Sequence, residues 1–215
     1  MLTRDEYLAA WSSWHGGTDP AAHRLVRGWL SAAYALARPL AGLPPLAATA
    51  VGLLVAAAAV VPAVLGGPWL VLAGVLVGCS GLLDSLDGAL AIATGRASRR
   101  GYVLDSMADR LTEAAYAAAL WAAGAPGWLA AAFGALCWLP DYLRARAGQA
   151  GVDETGALSV WERPTRVILT GLTLGGAGVV PVPGLVVTAG TAAGVLLGAV
   201  GVAQLGLAVR RALAD

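Results

Sequence analysis

The chain is poor in charged residues. Only 13% of its 215 residues are charged, and lysine is absent, so all fourteen basic residues are arginine. Soluble domains average about 25% charged and 45–50% apolar residues, whereas 58% of this chain is apolar. This shortage of charge excludes an ordinary soluble domain and indicates a single-domain integral membrane protein.

The low net charge and the small number of cysteines argue against nucleic-acid binding and against a cysteine metal site or disulfide. The net charge is only +1, which gives no basis for nucleic-acid binding. The two cysteines, Cys79 and Cys137, lie in apolar stretches without a CxxC motif or a neighbouring histidine. They are therefore expected to be small apolar fillers, not metal ligands or a disulfide. The N-terminal residues lack the pattern of a signal peptide, so we expect the first membrane span to act as the insertion signal.

Six apolar stretches are candidates to cross a bilayer, which takes about 20 residues of helix. They are residues 46–65, 69–93, 103–123, 126–143, 167–180 and 184–209, of which the fifth is short. The sequence therefore predicts an all-α integral membrane protein with six transmembrane helices. We divide it into an N-terminal segment (1–45), a six-helix domain (46–209) and a tail (210–215).

The arginines outside these spans predict how the helices are oriented. They lie before the first span, between the second and third, between the fourth and fifth, and after the sixth. The short connectors "GGP", "GAP" and "VPVPG" contain none. By the positive-inside rule, both termini are expected in the cytoplasm and the protein in the plasma membrane, crossing it several times.

The stretch before the first span, "TDPAAHRLVRGWLSAAYALARPL", is predicted to form a helix that starts with Asp19 as N-cap and Pro20. Its apolar residues recur at helical spacing opposite a basic face. The apolar positions are Leu25, Trp29, Ala33 and Leu36, and the basic face holds His23, Arg24 and Arg27. This pattern favours an amphipathic helix lying in the cytoplasmic interface; a soluble cap packed on the protein is the alternative.

Glycines at a spacing of four residues indicate close helix packing. They are Gly190, Gly194 and Gly198 in the last span, and Gly74 and Gly78 in the second. Such spacing lets two backbones approach each other. We expect the contacts to form within the chain rather than between two copies of it.

Four aspartates interrupt the apolar pattern. A carboxylate in a membrane helix is unfavourable by roughly 2.5–3.5 kcal/mol, yet Asp84 and Asp87 are three residues apart and Asp105 and Asp109 four apart. Each pair therefore shares one helical face. Both pairs lie at similar distances from Ser98, so antiparallel packing of the two helices would bring all four carboxylates into one cavity.

Something must neutralise four neighbouring carboxylates. Protonation is one route, divalent cations are another, and pairing with Arg96, Arg99, Arg100 or Arg110 is a third. Because no cysteine or histidine accompanies the acids, a cation site would suit Mg²⁺, Mn²⁺ or Ca²⁺ rather than Zn²⁺. Glu113 continues the face of Asp109 and is expected to be a supporting hydrogen-bond acceptor.

Two glycines lie beside the acids. Gly88 follows Asp87 directly, and Gly101 precedes Asp105 by four residues. A missing side chain permits either the approach of a phosphate group to the backbone or the close packing of two helices. Acids, glycines and the basic turn "GRASRRG" together suggest a site for phosphoryl transfer.

The stretch "DSLDGALAIATGRASRRGYVLDSMAD" resembles the signature of the CDP-alcohol phosphotransferases, D-x2-D-G-x2-A-R, eight residues, then G-x3-D-x3-D. The matching residues are Asp84, Asp87, Gly88, Ala91, Gly101, Asp105 and Asp109. Two positions depart from the family pattern. Ile92 replaces the arginine after the motif alanine, and "PLAAT" keeps Pro45 and Thr49 of a P-N-x2-T segment but has Leu46 in place of asparagine.

The resemblance implies transfer of a substituted phosphoryl group from a CDP-linked lipid, typically CDP-diacylglycerol, to an alcohol, with release of CMP. It implies two Mg²⁺ or Mn²⁺ ions held by Asp84, Asp87, Asp105 and Asp109, with Asp109 also the general base. It also implies a homodimer. The expected contacts to CDP come from Thr49, Asp87, Gly88, Ala91, Arg96 and Gly101, with Arg96 standing in for the missing arginine.

The segments "LRARAG" and "WERPTR" resemble those of actinobacterial members whose acceptor is inositol phosphate. That resemblance implies an acceptor phosphate pocket formed by Arg144, Arg146, Arg163 and Arg166, because guanidinium groups suit phosphate. The alternative is that these arginines are ordinary cytoplasmic anchors. Inositol phosphate and glycerol phosphate both stay open as acceptors.

Two other functions are alternatives to the enzyme. An ion or proton transporter would use intramembrane aspartates as a relay, but these acids cluster near one membrane face instead of forming a path across it. A catalytically weakened family member that serves as a scaffold is the other alternative, since Ile92 and Leu46 depart from the family pattern.

Overall fold

The computed structural model describes residues 1–14, 19–20, 24–152 and 158–214, and these residues form helices and no strand. Nine α-helices lie within the described ranges: α1 (Arg4–Trp14), α2 (Arg24–Ala37), α3 (Pro45–Ala58), α4 (Val60–Leu65), α5 (Trp69–Ala93), α6 (Arg99–Ala122), α7 (Gly127–Gln149), α8 (Arg163–Ala177) and α9 (Pro183–Ala212). A short 3-10 helix, Arg38–Leu40, follows α2. The predicted all-α fold is confirmed.

Three helical stretches of the described chain are long and apolar enough to cross a membrane. They are Pro45–Leu65, which joins α3 and α4, then α5 and α9. The other three predicted spans also fall on helices, but α6 carries several charged residues in its first half and α8 has only 15 residues. The chain is thus a helical membrane protein, and the count of six spans stays a prediction.

The chain divides into two compact units that interleave along the sequence. The first comprises residues Met1–Leu54 and Ser80–Asp109, and the second comprises Val55–Cys79 and Arg110–Asp215. The division cuts across the predicted segments 1–45, 46–209 and 210–215, which stay a prediction. Each unit has its own buried apolar cluster.

In the first unit, α2 packs against the start of α3, up to Leu54, and against the end of α5, from Ser80 onwards. Leu30, Ala33 and Ala37 of α2 are buried in its core, whereas Trp29 and Leu36 are about half exposed. Helix α2 therefore has one apolar face packed on protein and a second one exposed. His23 and the side chains of Arg24 and Leu25 lie outside the described residues.

Helix α1 belongs to the same unit and has no counterpart in the sequence prediction. Its first turn is fixed by a reciprocal pair of hydrogen bonds: the Thr3 backbone N–H donates to Glu6 Oε2 at 2.7 Å, and the Glu6 N–H donates to Thr3 Oγ1 at 3.4 Å. This capping box satisfies two backbone donors that would otherwise lack helical partners. Tyr7, one residue further on, is buried.

The second unit packs α9 against α7 and α8, and glycines make that contact close. A Cβ atom added to Gly190 would lie 2.2 Å from Thr173 Oγ1, and one added to Gly194 would lie 2.6 Å from the Phe133 ring. One added to Gly74 on α5 would lie 2.5 Å from the Gly171 carbonyl oxygen of α8. The prediction of packing within the chain is confirmed at these positions, although Gly78 has no such neighbour among the described residues.

The two cysteines are both free, as the sequence predicts. Cys137 is completely buried in the core of the second unit. Cys79 lies on the exposed surface of α5.

Candidate metal centre and acceptor arginines

Three of the four predicted aspartates converge within the first unit. Asp84 lies on α5, and Asp105 and Asp109 lie on α6, one turn apart. One carboxylate oxygen from each lies within 4.8 Å of those of the other two, and all three residues are half-buried. The i, i+4 spacing on α6 places its two acids on one helical face, as the sequence predicts.

Asp87, the fourth acid, is the most buried of the four. It is 5% exposed, and its Oδ2 accepts a hydrogen bond of 2.6 Å from the hydroxyl group of Thr49 on α3. A carboxylate that accepts such a bond has a fixed orientation. Thr49 therefore orients Asp87, a predicted metal ligand. The sequence alone does not predict this contact.

The chemistry of this donor set fits a hard divalent cation. The converging atoms are carboxylate oxygens from three aspartates, which are ligands that Mg²⁺, Mn²⁺ and Ca²⁺ accept. Two of the arginines proposed as neutralising partners, Arg96 and Arg110, contact other groups of the protein. Arg110 forms ion pairs with Glu113 and Asp141, and Arg96 donates to backbone carbonyls.

The two motif glycines lie in open surroundings. A Cβ atom added to Gly88 would meet no described atom within 4 Å, and one added to Gly101 would meet only the Ser98 hydroxyl oxygen, at 3.1 Å. Neither glycine is thus required for close packing of two helices. The approach of a phosphate group to the backbone is the use that the geometry favours.

Arg96, a predicted contact to the nucleotide, is hydrogen-bonded to the backbone of the segment before α3. Its guanidinium group donates to the carbonyl oxygen of Leu43 at 2.9 Å, and to that of Ala41. Ile92, which replaces the family arginine, packs against the apolar core of the first unit. The contact of Arg96 with the nucleotide stays a prediction.

The four predicted acceptor arginines differ in their surroundings within the second unit. Arg166 is buried and donates to Glu113 at 2.5 Å, to Asp141 at 3.3 Å and to the Trp161 carbonyl oxygen at 3.0 Å. Arg144 pairs with Glu162 at 2.6 Å and lies 3.6 Å from Asp141.

Arg146 is exposed and donates to the side-chain amide oxygen of Gln149 at 2.7 Å. Arg163, the first residue of α8, is half-buried. The structure thus gives Arg166 and Arg144 carboxylate partners, whereas Arg146 is hydrogen-bonded to a neutral amide.

The pairing of these arginines with carboxylates is the main feature of the site that the sequence does not predict. Arg110, Glu113, Asp141 and Arg166 form a ring of ion pairs, which Arg144 extends to Glu162. Glu113 accepts from Arg166, in line with its predicted role as a hydrogen-bond acceptor. The local signals in the sequence are two i, i+3 spacings, that of Arg110 with Glu113 and that of Asp141 with Arg144.

Glu162 lies between the helices α7 and α8, outside the predicted membrane spans. Burial alone would raise the pKa of its carboxyl group, but the hydrogen bonds from Arg144 and from the Ser159 backbone outweigh burial. The pKa of Glu162 therefore lies below its ordinary value of 4.5. The charged form of Glu162 is thus the form that the fold favours.

Residues 43–196 match the family model of the CDP-alcohol phosphatidyltransferases. The chain belongs to this family. The family resemblance drawn from the aspartate motif is confirmed, and the match includes the aspartates and the two arginine segments.

The chain is similar in sequence to two archaeal members with assigned names. The chain is 37% identical over 100 residues to the archaetidylinositol phosphate synthase of Pyrococcus horikoshii, covering 46% of this chain and 53% of that one. It is 38% identical over 118 residues to the enzyme of the same name from Aeropyrum pernix, covering 53% and 58%. The matches thus span little more than half the length of these relatives.

A solved structure of the family is similar over most of its length. The crystal structure of Mycobacterium tuberculosis phosphatidylinositol phosphate synthase, in complex with manganese and citrate, has a TM-score of 0.69 and 26% identity. The alignment covers 82% of this chain and 88% of that one. The fold of the chain is thus similar to that of a solved member of the family.

Proposed function

We propose that the protein transfers a phosphatidyl group from a CDP-linked lipid, such as CDP-diacylglycerol, to an alcohol and releases CMP. The observation that carries this proposal is the convergence of Asp84, Asp105 and Asp109 within 4.8 Å inside the family motif. Carboxylates that converge in this way can hold divalent cations against a diphosphate.

The cofactor in this proposal is a pair of Mg²⁺ or Mn²⁺ ions held by Asp84, Asp87, Asp105 and Asp109. When bound, the ions stabilise negative charge on the diphosphate and on the departing CMP. The manganese in the crystal of the Mycobacterium tuberculosis relative supports the choice of metal. Thr49 orients Asp87 through its hydroxyl group, and the open backbone at Gly88 and Gly101 leaves room for phosphate oxygens.

Asp109 is the general base in the proposed reaction. Its carboxylate takes the proton of the acceptor hydroxyl group while the hydroxyl oxygen attacks the lipid-linked phosphorus. A new P–O bond to the acceptor forms, and the bond from this phosphorus to the CMP phosphate oxygen breaks. CMP leaves with the bonding electron pair.

The acceptor in this proposal is an inositol phosphate. The relatives in Pyrococcus horikoshii and Aeropyrum pernix are named after the product archaetidylinositol phosphate. The two arginine segments of this chain resemble those of enzymes that use inositol phosphate as the acceptor. Arg144, Arg146 and Arg163 are the proposed phosphate-binding residues, with Arg166 holding their loop through its internal ion pairs. Glycerol phosphate is the acceptor to test against it.

The proposed membrane arrangement has six spans and cytoplasmic termini, in a plasma membrane. Trp69, Trp121 and Trp128 support this arrangement, since all three are more than half exposed and lie at helix ends on the side that the arginine pattern assigns to the exterior. Tryptophan is enriched at membrane interfaces. The exposed Trp29 and Leu36 of α2 likewise support an interfacial helix, and a homodimer is expected from the family resemblance.

A reconstitution assay tests the reaction. The purified protein is incubated with CDP-diacylglycerol, Mn²⁺ or Mg²⁺, and inositol phosphate or glycerol phosphate, and CMP is measured. We expect metal-dependent CMP release that Asp109→Asn reduces by at least about a thousandfold, while the exposed control Asp5→Asn retains activity. Undiminished turnover in Asp109→Asn would disprove the base assignment. Mn²⁺ binding without CMP release would indicate a weakened family member, and ion flux without CMP release would indicate a transporter.

A further inference from the structure

The turn that follows α5 fixes the backbone conformation at Arg96. The N–H of Arg96 donates to the carbonyl oxygen of Ala91 at 2.8 Å, and that of Gly95 donates to Ile92 at 3.1 Å. These two bonds form a Schellman motif, which requires a left-handed residue after the helix. Gly95 supplies it with a φ of +67°, so the sequence "TGR" fixes the backbone from which the Arg96 side chain extends.

The Arg96 side chain joins this turn to the segment before α3. Its two terminal nitrogens donate to the carbonyl oxygens of Leu43 and Ala41, which lie between the 3-10 helix and Pro45, the first residue of α3. A planar guanidinium group presents donors in a fixed fork. Arg96 thereby holds two backbone positions of this segment at once.

The start of α3 and the segment before it are thus attached to α5 and to the turn after α5 at two points. At one point Arg96 holds residues 41–43, and at another Thr49 donates to Asp87 Oδ2 at 2.6 Å. Further along, α3 lies close to α5 because position 52 is glycine: an added Cβ atom there would be 3.3 Å from Leu83 Cβ and 3.5 Å from the Ser80 carbonyl oxygen. The start of α3 therefore has little freedom to shift relative to Asp87.

We infer that Arg96 is a positioning residue for the metal centre: it holds the start of α3, and through it Thr49, so that the Asp87 carboxylate keeps the orientation needed to bind a divalent cation. This inference rests on the proposed metal-dependent function. It gives Arg96 a role through protein contacts, in place of the nucleotide contact that the sequence suggests for it.

The direction of the effect on metal affinity separates the inference from simple electrostatics. Removing a positive charge near a cation site should strengthen cation binding. Loss of a positioning contact should weaken it, because groups that orient a ligand typically contribute 10–100-fold to metal affinity. An arginine that only contacts the nucleotide would leave Mn²⁺ binding in the absence of nucleotide unchanged.

Mn²⁺ titration of the purified protein without nucleotide, followed by electron paramagnetic resonance, tests the inference. We expect Arg96→Ala to raise the Kd for Mn²⁺ about five- to tenfold, which is at or below the lower end of that range because Arg96 acts on Asp87 only through Thr49. Arg96→Lys should recover only part of the affinity, because one ammonium group replaces a two-donor fork. The matched control is Arg100→Ala, which removes an exposed arginine four residues further along, in the first turn of α6, and should leave the Kd unchanged or slightly lower. An Arg96→Ala protein that binds Mn²⁺ as tightly as the wild type would overturn the inference.

A double variant tests the route through Thr49. Thr49→Val removes the hydrogen bond to Asp87, so adding Arg96→Ala should then weaken Mn²⁺ binding by less than about twofold. A full five- to tenfold further loss in the double variant would show that Arg96 acts by another route. CMP release measured at saturating Mn²⁺ distinguishes the proposed transfer reaction from the proposed role of Arg96. A wild-type protein that binds Mn²⁺ but releases no CMP would refute the transfer reaction and leave the role of Arg96 in metal binding standing.

Discussion

Arg166 and Glu113 form an ion pair of 2.5 Å whose side chains are only 2% and 1% exposed. Arg110 lies 3.2 Å from the second oxygen of Glu113, and Asp141 pairs with both arginines. Two positive and two negative groups thus neutralise each other inside the second unit. Unpaired charges in such surroundings would be strongly unfavourable, so the integrity of the ring is expected to determine the stability of this unit.

Removing one charge of the ring should destabilise the protein. Glu113→Gln keeps the shape of the side chain but leaves Arg166 without its nearest carboxylate, and we expect the free energy of unfolding to fall by roughly 3 kcal/mol. Unfolding in detergent micelles, followed by circular dichroism, measures it. Asp5→Asn, an exposed acid, should change stability by less than about 0.5 kcal/mol.

A double replacement checks the reason for that loss. Glu113→Leu combined with Arg166→Met removes both partners, and it should be more stable than Glu113→Leu alone because no buried charge is left unpaired. Equal stability of the two variants would contradict the account of the ring as mutual neutralisation.

Two glycines one turn apart on α5 should respond oppositely to alanine. An added Cβ atom at Gly74 would lie 2.5 Å from the Gly171 carbonyl oxygen and 2.7 Å from the Gly175 nitrogen, both backbone atoms of α8. Gly74→Ala should therefore lower the midpoint of thermal unfolding, with a loss of about 1–3 kcal/mol. Gly78→Ala should be neutral or stabilising by up to ~1 kcal/mol, because it meets no described atom within 4 Å and favours the helix. Equal behaviour of the two variants would argue against this packing.

The residues whose placement follows from local spacing are the ones that the sequence predicts well. Asp105 and Asp109 share a helical face whatever surrounds them, and Asp84 lies at the matching depth of the preceding helix, so their convergence follows from helix geometry. The helices themselves follow from long apolar stretches. The family signature adds the identity of the site.

Contacts that depend on the tertiary arrangement are the ones that the sequence does not predict. Nothing in the local pattern indicates that Arg166 meets Glu113, 53 positions earlier, or that Arg96 bonds to the backbone of Ala41. The positive-inside rule counts arginines but does not separate anchors from buried partners. Helix α1 is a different kind of omission, because the capping signal of Thr3 and Glu6 is present in the sequence.

The ion pair of Glu162 predicts a pH dependence of stability. Its pKa in the folded protein lies below the ordinary value of 4.5, so the folded state binds fewer protons than the unfolded state near that pH. The stabilisation is therefore complete above the ordinary pKa and is lost as the pH falls through the folded value. As the pH falls from about 5.5 to about 3, Glu162→Gln should lose less stability than the wild type, as measured by thermal unfolding at each pH. Parallel pH profiles for the two proteins would contradict the assignment.

Arg146 should contribute to binding of the acceptor but not of the lipid nucleotide. Its guanidinium group is exposed and donates to the neutral side chain of Gln149, so no carboxylate in that contact neutralises its charge. A hydrogen bond to a charged group contributes about 1.5–3 kcal/mol, which corresponds to roughly 10–100-fold in affinity. Arg146→Gln should therefore raise the KM for inositol phosphate by at least about tenfold while the KM for CDP-diacylglycerol changes less than about twofold.

Arg210→Gln, in the last turn of α9, is the matched control and should leave both KM values unchanged. An equal rise in both KM values for Arg146→Gln would instead point to a general effect on the site.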